Sequence, residues 1–495
     1  MLRFSVFDER GPARDWPIVN AHLLGADDTA LAGTIAFRNG QVACRPAGRM
    51  MLQTCLLQQR EDPYRLYEEL ARQRIKLFLE KSENWGLLDP SKAPEAFELF
   101  ERARSTFVTA LVEQDPFRAQ TRHQEALAVA VFAGERLVAR RVDWMLHARF
   151  GKHGSQRSLG VRVPVEKSPD LLRAALSREF DIVSVPTPWP LIEPSQGRFE
   201  WDQVDRWMAW AKQSGRQIIA GPLLDCTAGG VPGWVRPSLG DPSKLKDRLH
   251  AFATEVVTRY APLGPIWNVA SGVHLCEEAR LQGDAMVQLT RMAGVAVRQV
   301  RKDARILVEV GDPFSVLPPG EEGTVGAIRY LRALVAEGVP MDLVGIPLVL
   351  GEPTRGRGTR DLLQVAAMLE RFTSRKEMPP IIITSCGAPS APHAEAGAGW
   401  WREPWSPRSQ GAWAPMAFRI AMANPGIHAV VWGRLRDDAG AGLRDGGLFG
   451  PDGAPKPAAE RLLLTRRKLR NALGPAPAAG AVGAATAPPA GPVDA

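Results

Sequence analysis

Pro380-Ile-Ile-Ile-Thr-Ser-Cys-Gly-Ala-Pro-Ser390 is a mostly apolar run closed by glycine and proline, which reads as a buried strand. Seven similar runs precede or follow it, at about 158–165, 181–187, 217–224, 265–271, 305–311, 343–350 and 428–434. Amphipathic helical segments alternate with them. Residues 201–214 stripe Val204, Trp207, Met208 and Ala211, and residues 361–375 stripe Leu362, Val365, Leu369 and Phe372, with Gly215 and Gly338 marking helix stops. Eight strand–helix units from residue 158 onward predict an α/β fold, a closed (β/α)8 barrel.

The texture ahead of the barrel differs. Residues 1–60 hold short strand-like pieces, 2–7 and 34–44, with turns at Gly25-Ala26-Asp27 and Asn39-Gly40, and predict a small β element. Asp62-Pro63 reads as a helix start, followed by Tyr67, Leu70, Arg74 and Phe78 at helical spacing. A second helix at 93–113 stripes Phe97, Phe100, Ala103, Phe107 and Leu111, and a third spans 119–149. Residues 61–152 thus predict an antiparallel helical region, residues 153–474 the barrel, and the Ala-, Pro- and Gly-rich residues 475–495 a disordered tail.

Composition narrows the class. No run approaches the roughly 18 apolar residues of a membrane span, and the first residues lack a secretory pattern, so a cytoplasmic protein is expected. Five cysteines without Cys-x-x-Cys spacing suggest neither a disulfide framework nor a thiolate metal site. Eight histidines lack paired spacing, so no metal and no cofactor are expected. The net charge is +8, with arginine clusters at Arg140, Arg141 and Arg149 and at Arg466, Arg467 and Arg470. Without interleaved aromatics these read as solvated helix faces in preference to a nucleic-acid surface, which stays as a weaker alternative.

Several barrel segments resemble glycoside hydrolase family 10, the retaining endo-β-1,4-xylanases. The stretch Trp189-Pro-Leu-Ile-Glu193-Pro-Ser-Gln-Gly197-Arg-Phe199 is similar to the family's Trp-x-x-Ile-Glu-Pro segment running into Gly-x-Phe. Pro232-Gly-Trp234 resembles its Pro-x-Trp, and Ile266-Trp-Asn-Val269 its acid/base strand. Trp432-Gly433, Gly447-Leu448 and Pro455-Lys-Pro-Ala458 resemble its closing signature, so the likeness covers about residues 158–470. The helical region is without counterpart in ordinary members; the whole chain looks like a degenerate bacterial subgroup of planctomycete type.

Retaining glycosidases use two carboxyl groups about 5.5 Å apart, one as acid/base and one as nucleophile. The resemblance places the family's two glutamates on Gly272 and Ser385, and several sugar-contacting residues on Pro188, Pro222 and Pro347-Leu-Val349. Neither glycine nor an unassisted serine performs those steps, which implies a pseudoenzyme that binds a carbohydrate or serves as a scaffold. The alternative is an active hydrolase of a β-linked polysaccharide using relocated carboxylates. Asp225, Glu277, Glu278, Glu309 and Asp312 all fall near strand ends, where capping or surface roles compete; Asp225 and Glu309 are the foremost candidates. Ser385 and Cys386 with His274 form a weaker nucleophile–base candidate, lacking an acid to orient the imidazole.

Trp189, Trp234 and Trp432, with Glu193, are the expected substrate-binding residues, the indoles as stacking platforms for pyranose rings. Trp267 reads as core, and Trp400, Trp401 and Trp405 as a cleft lining or lid. The wide apolar stripes of the helical region require burial against either the barrel or a second copy, leaving a homo-oligomer open.

Overall fold

The computed structural model describes residues 4–7, 14–16, 18–19, 22–23, 35–38, 40–44, 46–57, 63–155, 158–169, 180–227, 229–275, 281, 283–314, 325–354, 356–393, 398–437, 443–471 and 473. The expected turns at Gly25-Ala26-Asp27 and at Asn39, the cap at Asp62, Glu277, Glu278 and the tail 475–495 lie outside them.

Eight parallel strands close a (β/α)8 barrel. They are β1 (Leu159–Arg162), β2 (Ile182–Val185), β3 (Gln217–Ala220), β4 (Ile266–Ser271), β5 (Ile306–Glu309), β6 (Leu343–Val349), β7 (Ile381–Gly387) and β8 (Ile427–Trp432). Each pairs with its sequence neighbour, and β8 returns to β1 through Leu159 opposite Val430. A short continuation, Leu224–Asp225, carries the β3 chain along the end of β4. Ile182, Ile219, Ile266, Leu307, Leu343, Ile382, Ala429 and Val431, contributed by β2 to β8, form a compact apolar layer that fills the barrel axis.

Three helices precede the barrel: α1 (Leu66–Asn84), α2 (Pro94–Leu111) and α3 (Pro116–Phe150). The first begins at Leu66, not at Asp62-Pro63, because Tyr64–Arg65 is drawn into a strand pair with His22–Leu23. The third starts where Asp115 accepts from the Phe117 and Arg118 amides ahead of Pro116, a capped start that a long helix needs. Phe97 and Phe100 are buried as their stripe required, Phe78 stacking on Phe100 and meeting Phe97 edge-on, whereas Leu111, read as part of the α2 stripe, is exposed at the helix end.

This helical region packs on the barrel helices α8 (Leu362–Thr373) and α9 (Pro407–Ala423). Leu363 seats directly against Gly134 of α3, where an added Cβ would lie 2.8 Å from its Cδ2. Arg149 donates to the carbonyls of Met422, Asn424 and Ile427, and Lys81 pairs with Glu370 at 3.0 Å. Buried Arg74 pairs with Asp361, whose other carboxylate oxygen caps α8 at the Leu363 and Gln364 amides. The apolar stripes therefore meet the barrel.

The β element joins in as well. Strand Gly48–Leu52 pairs with Gly40–Cys44 on one side and with Trp400–Trp401, from the loop after β7, on the other. That pairing buries Trp401, whose Nε1 donates to Glu135 of α3 at 2.6 Å, and Trp405 is buried nearby. The tryptophan-rich loop read as a cleft lining or lid is instead a third strand of the N-terminal hairpin.

Candidate functional site

Side chains on a barrel strand alternate inward and outward, so the residue two places beyond each axial apolar residue lines the next layer toward the C-terminal mouth. In this chain that step leads to Ser184, Gly221, Asn268, Glu309, Gly345, Thr384 and Gly433. On β1 the axial position is Gly160, pressed between Ile182 and Val431, and the next is Arg162. The floor of the mouth is thus polar and charged, with glycines between the longer side chains. Gly345 lets Glu309 and Thr384 approach across it: a Cβ there would lie 3.0 Å from Glu309 Cβ and 2.8 Å from Thr384 Cγ2.

Glu309 is the centre of this layer. Its Oε2 accepts from Asn268 Nδ2 and its Oε1 from Ser271 Oγ, both at 3.1 Å. It keeps some solvent contact, yet burial pushes its carboxyl above the usual carboxylate range; Arg162 opposes that shift and the nearby charge of Asp225 adds to it. Asp225 Oδ1 is itself engaged by the Thr227 amide at 3.0 Å and hydroxyl at 2.6 Å. Two further polar atoms of the layer stand without a hydrogen bond: Asn268 Oδ1 and Thr384 Oγ1, on residues 4% and 7% exposed. The threonine hydroxyl lies near the Glu309 carboxylate without reaching hydrogen-bond geometry. A rigid, strand-borne layer of this kind can hydrogen-bond a polar ligand.

Gly272 follows β4 with φ +65°, and a Cβ on it would stand 2.9 Å from Thr227 Cγ2. That backbone and that contact favour glycine. Ser385, on β7, places its Oγ in the space that a side chain on Gly433 would take. Asp312, at φ 33°, is electrostatically engaged with Arg360. Glu309 and Asp225 are the relocated candidates that the fold brings together.

His274 is fully employed in structure. Its Nδ1 donates to Val325 O at 2.6 Å, its Nε2 accepts from the Gly311 amide at 2.9 Å, and its ring stacks on Tyr330. Burial drives its pKa down to about 4. Cys386 is buried, which pushes its thiol far above the ordinary range. The nucleophile–base reading of Ser385 or Cys386 with His274 is therefore overturned, since neither imidazole nitrogen is available as a base.

Trp189, Glu193 and Trp234 meet one another. Trp189, 2% exposed, stacks on Phe252 at 4.8 Å and donates to Glu193 Oε2 at 2.8 Å, while Trp234 Nε1 donates to Glu193 O at 2.9 Å. Glu193 Oε1 accepts from the Gly197 amide, so this segment is a hydrogen-bonded turn after β2. Trp432, 0% exposed, donates to Gly446 O and packs edge-on against Trp413. In this conformation both Trp189 and Trp432 have their faces covered by protein, and Trp234 is partly exposed under Arg248. Arg162, Ser184 and Thr384 were not singled out from sequence; the signal was the period-two step from each axial residue.

No family model matches the chain. Among curated proteins it is similar to endo-1,4-beta-xylanase B of Humicola insolens, 28% identical over 174 residues, which are 34% of this chain and 46% of that protein. It is also similar to endo-1,4-beta-xylanase 3 of Hypocrea jecorina, 23% identical over 163 residues, 32% of this chain and 45% of that one. The chain spans about half the length of the curated relatives it matches. Among solved structures, xylanase 10B from Thermotoga petrophila RKU-1 in complex with xylobiose gives a TM-score of 0.49 at 16% identity, over 65% of this chain and 96% of that one. Native xylanase 10B from Thermotoga maritima gives 0.48 at 16%, over 68% and 98%.

Proposed function

We propose that this xylanase-like barrel binds a carbohydrate at its C-terminal mouth and does not cleave it by the two-glutamate mechanism. The observation that carries the reading is Gly272. At the position that the family resemblance gives to the acid/base stands a left-handed glycine with Thr227 packed against it, and Ser385 occupies the position given to the nucleophile. The sequence likeness to two endo-1,4-beta-xylanases supports the ligand class. The polar floor around Glu309 offers the hydrogen bonds that a ring of hydroxyls requires.

A second reading has its own observation. Burial shifts the Glu309 carboxyl upward, the direction a general acid requires, and the charge of Asp225 adds to that shift, so the pair is a candidate for relocated hydrolysis. Calorimetric titration of the full chain with β-1,4-linked xylo- and cello-oligosaccharides, with reducing ends counted in parallel, separates the two. Heat without reducing ends is expected. Reducing ends that vanish in Asp225→Ala and Glu309→Ala would establish the second reading, and no heat with any sugar would leave a scaffold.

A cytoplasmic setting remains part of this proposal; no helix among the described residues is long and apolar enough to cross a membrane. Self-association through the helical region would use the α2–α3 turn, where Val108, Leu111, Val112 and Phe117 stay exposed; light scattering checks it.

A further inference from the structure

The floor of the mouth carries a cation that the proposed function does not use. Arg162 projects from the end of β1 into the polar layer, half-buried, and among the described residues its guanidinium makes neither a hydrogen bond nor an ion pair closer than 4 Å. Glu309 attracts it from a distance but spends its two oxygens on Asn268 and Ser271. Half-buried guanidinium groups are ordinarily matched by a carboxylate or phosphate fork, because five N–H donors lose water together. Here the fork is turned toward a layer that also holds two buried polar atoms without partners, Asn268 Oδ1 and Thr384 Oγ1.

We propose that Arg162 makes the mouth selective for a sugar that bears a carboxylate, a uronic acid, over its neutral counterpart. The carboxylate meets the Arg162 fork, while a ring hydroxyl donates to Asn268 Oδ1 and another exchanges a hydrogen bond with Thr384 Oγ1. This inference rests on the reading of the mouth as a carbohydrate site and adds the chemistry of its preferred ligand. Glu309 has both carboxylate oxygens engaged by Asn268 Nδ2 and Ser271 Oγ, which offset its charge toward an incoming anion. Asp225 keeps its Oδ1 turned to Thr227. Ser184, paired with Arg162 across β1 and β2, and Gly433 beyond β8 leave small groups on either side of the guanidinium.

The test is calorimetric titration of the full chain with a matched pair, methyl β-D-glucuronide and methyl β-D-glucoside, which differ only at the carboxylate. The glucuronide is expected to bind at least about tenfold more tightly, the size of one charge-assisted bidentate contact. In Arg162→Met that preference falls to within about twofold, as expected when the charged contact is lost. A measurement independent of any variant is the salt dependence. Raising ionic strength from about 50 mM to about 500 mM weakens the glucuronide and spares the glucoside. Equal affinities for the two, with both bound, overturn the inference and leave the carbohydrate-site reading standing. Binding of neither overturns both.

Discussion

His274 shows how a residue that sequence inspection offers for chemistry can be committed to structure. An obligate donor, the Gly311 amide, and an obligate acceptor, the Val325 carbonyl, fix its neutral tautomer. Burial makes the folded state resist protonation, so that its pKa lies at about 4 against 6.5 for a free side chain. Stability from this depression is present above pH 6.5 and is lost progressively as pH falls from 6.5 toward 4, because the unfolded chain then binds the extra proton. The full loss is roughly 3 kcal/mol at most. Urea unfolding between pH 7 and pH 4 should show a falling midpoint, and His274→Gln a flatter profile across that window. An identical slope in the variant would assign the acid sensitivity elsewhere. At this scale the sequence was least legible. Asp225 and Glu309 were visible as acids at strand ends, but Arg162 gained meaning only once β1 was seen to close against β8. Trp189 and Trp432 were visible as aromatics at strand ends, whereas their covered faces depend on Phe252 and Trp413, which are distant in sequence.

At the scale of elements the reading fared better, because periodicity is a local property. All eight barrel strands were found within a few residues, and the stripes of α8 and of the helix Asp202–Gln213 are buried as their spacing required. What periodicity could not supply was the partner of each stripe. Arg74 falls in the apolar stripe of α1, and its presence there makes sense only beside Asp361 of the barrel. Removing one partner of a buried ion pair strands the other charge, at a cost of about 3–5 kcal/mol. Arg74→Met should therefore lower the thermal midpoint by several degrees or more, and the double variant Arg74→Met with Asp361→Asn should recover part of the loss. A single variant as stable as the natural chain would show that the pair contributes nothing.

For the molecule as a whole, the N-terminal region and the barrel share one structure. Trp400–Trp401 leaves the barrel to complete the hairpin Gly40–Leu52, Glu135 of α3 receives Trp401 and Arg402, and Met51 donates its amide to Thr359 O. Cutting the chain near residue 153 would expose the α8 and α9 surfaces and leave Asp361 buried without its arginine. The barrel piece alone should aggregate or unfold at much lower denaturant, while the intact chain should unfold in a single transition by both circular dichroism and tryptophan fluorescence. Two well-separated transitions in the intact chain would show independent domains. The sequence did expose the two textures and their boundary, but the contacts that fuse them are long-range, between residues 260 and more apart in several cases.

This shared architecture bears on function, because it fixes the loops that flank a mouth whose floor carries one central carboxyl group, a cation and several hydrogen-bonding side chains. The central claim is that this mouth receives a sugar and does not hydrolyse it. The most direct measurement is mass spectrometry of xylohexaose after prolonged incubation with a stoichiometric amount of the full chain. The hexaose should be recovered intact, and shorter xylo-oligosaccharides that accumulate with time and disappear in Glu309→Gln would contradict the account.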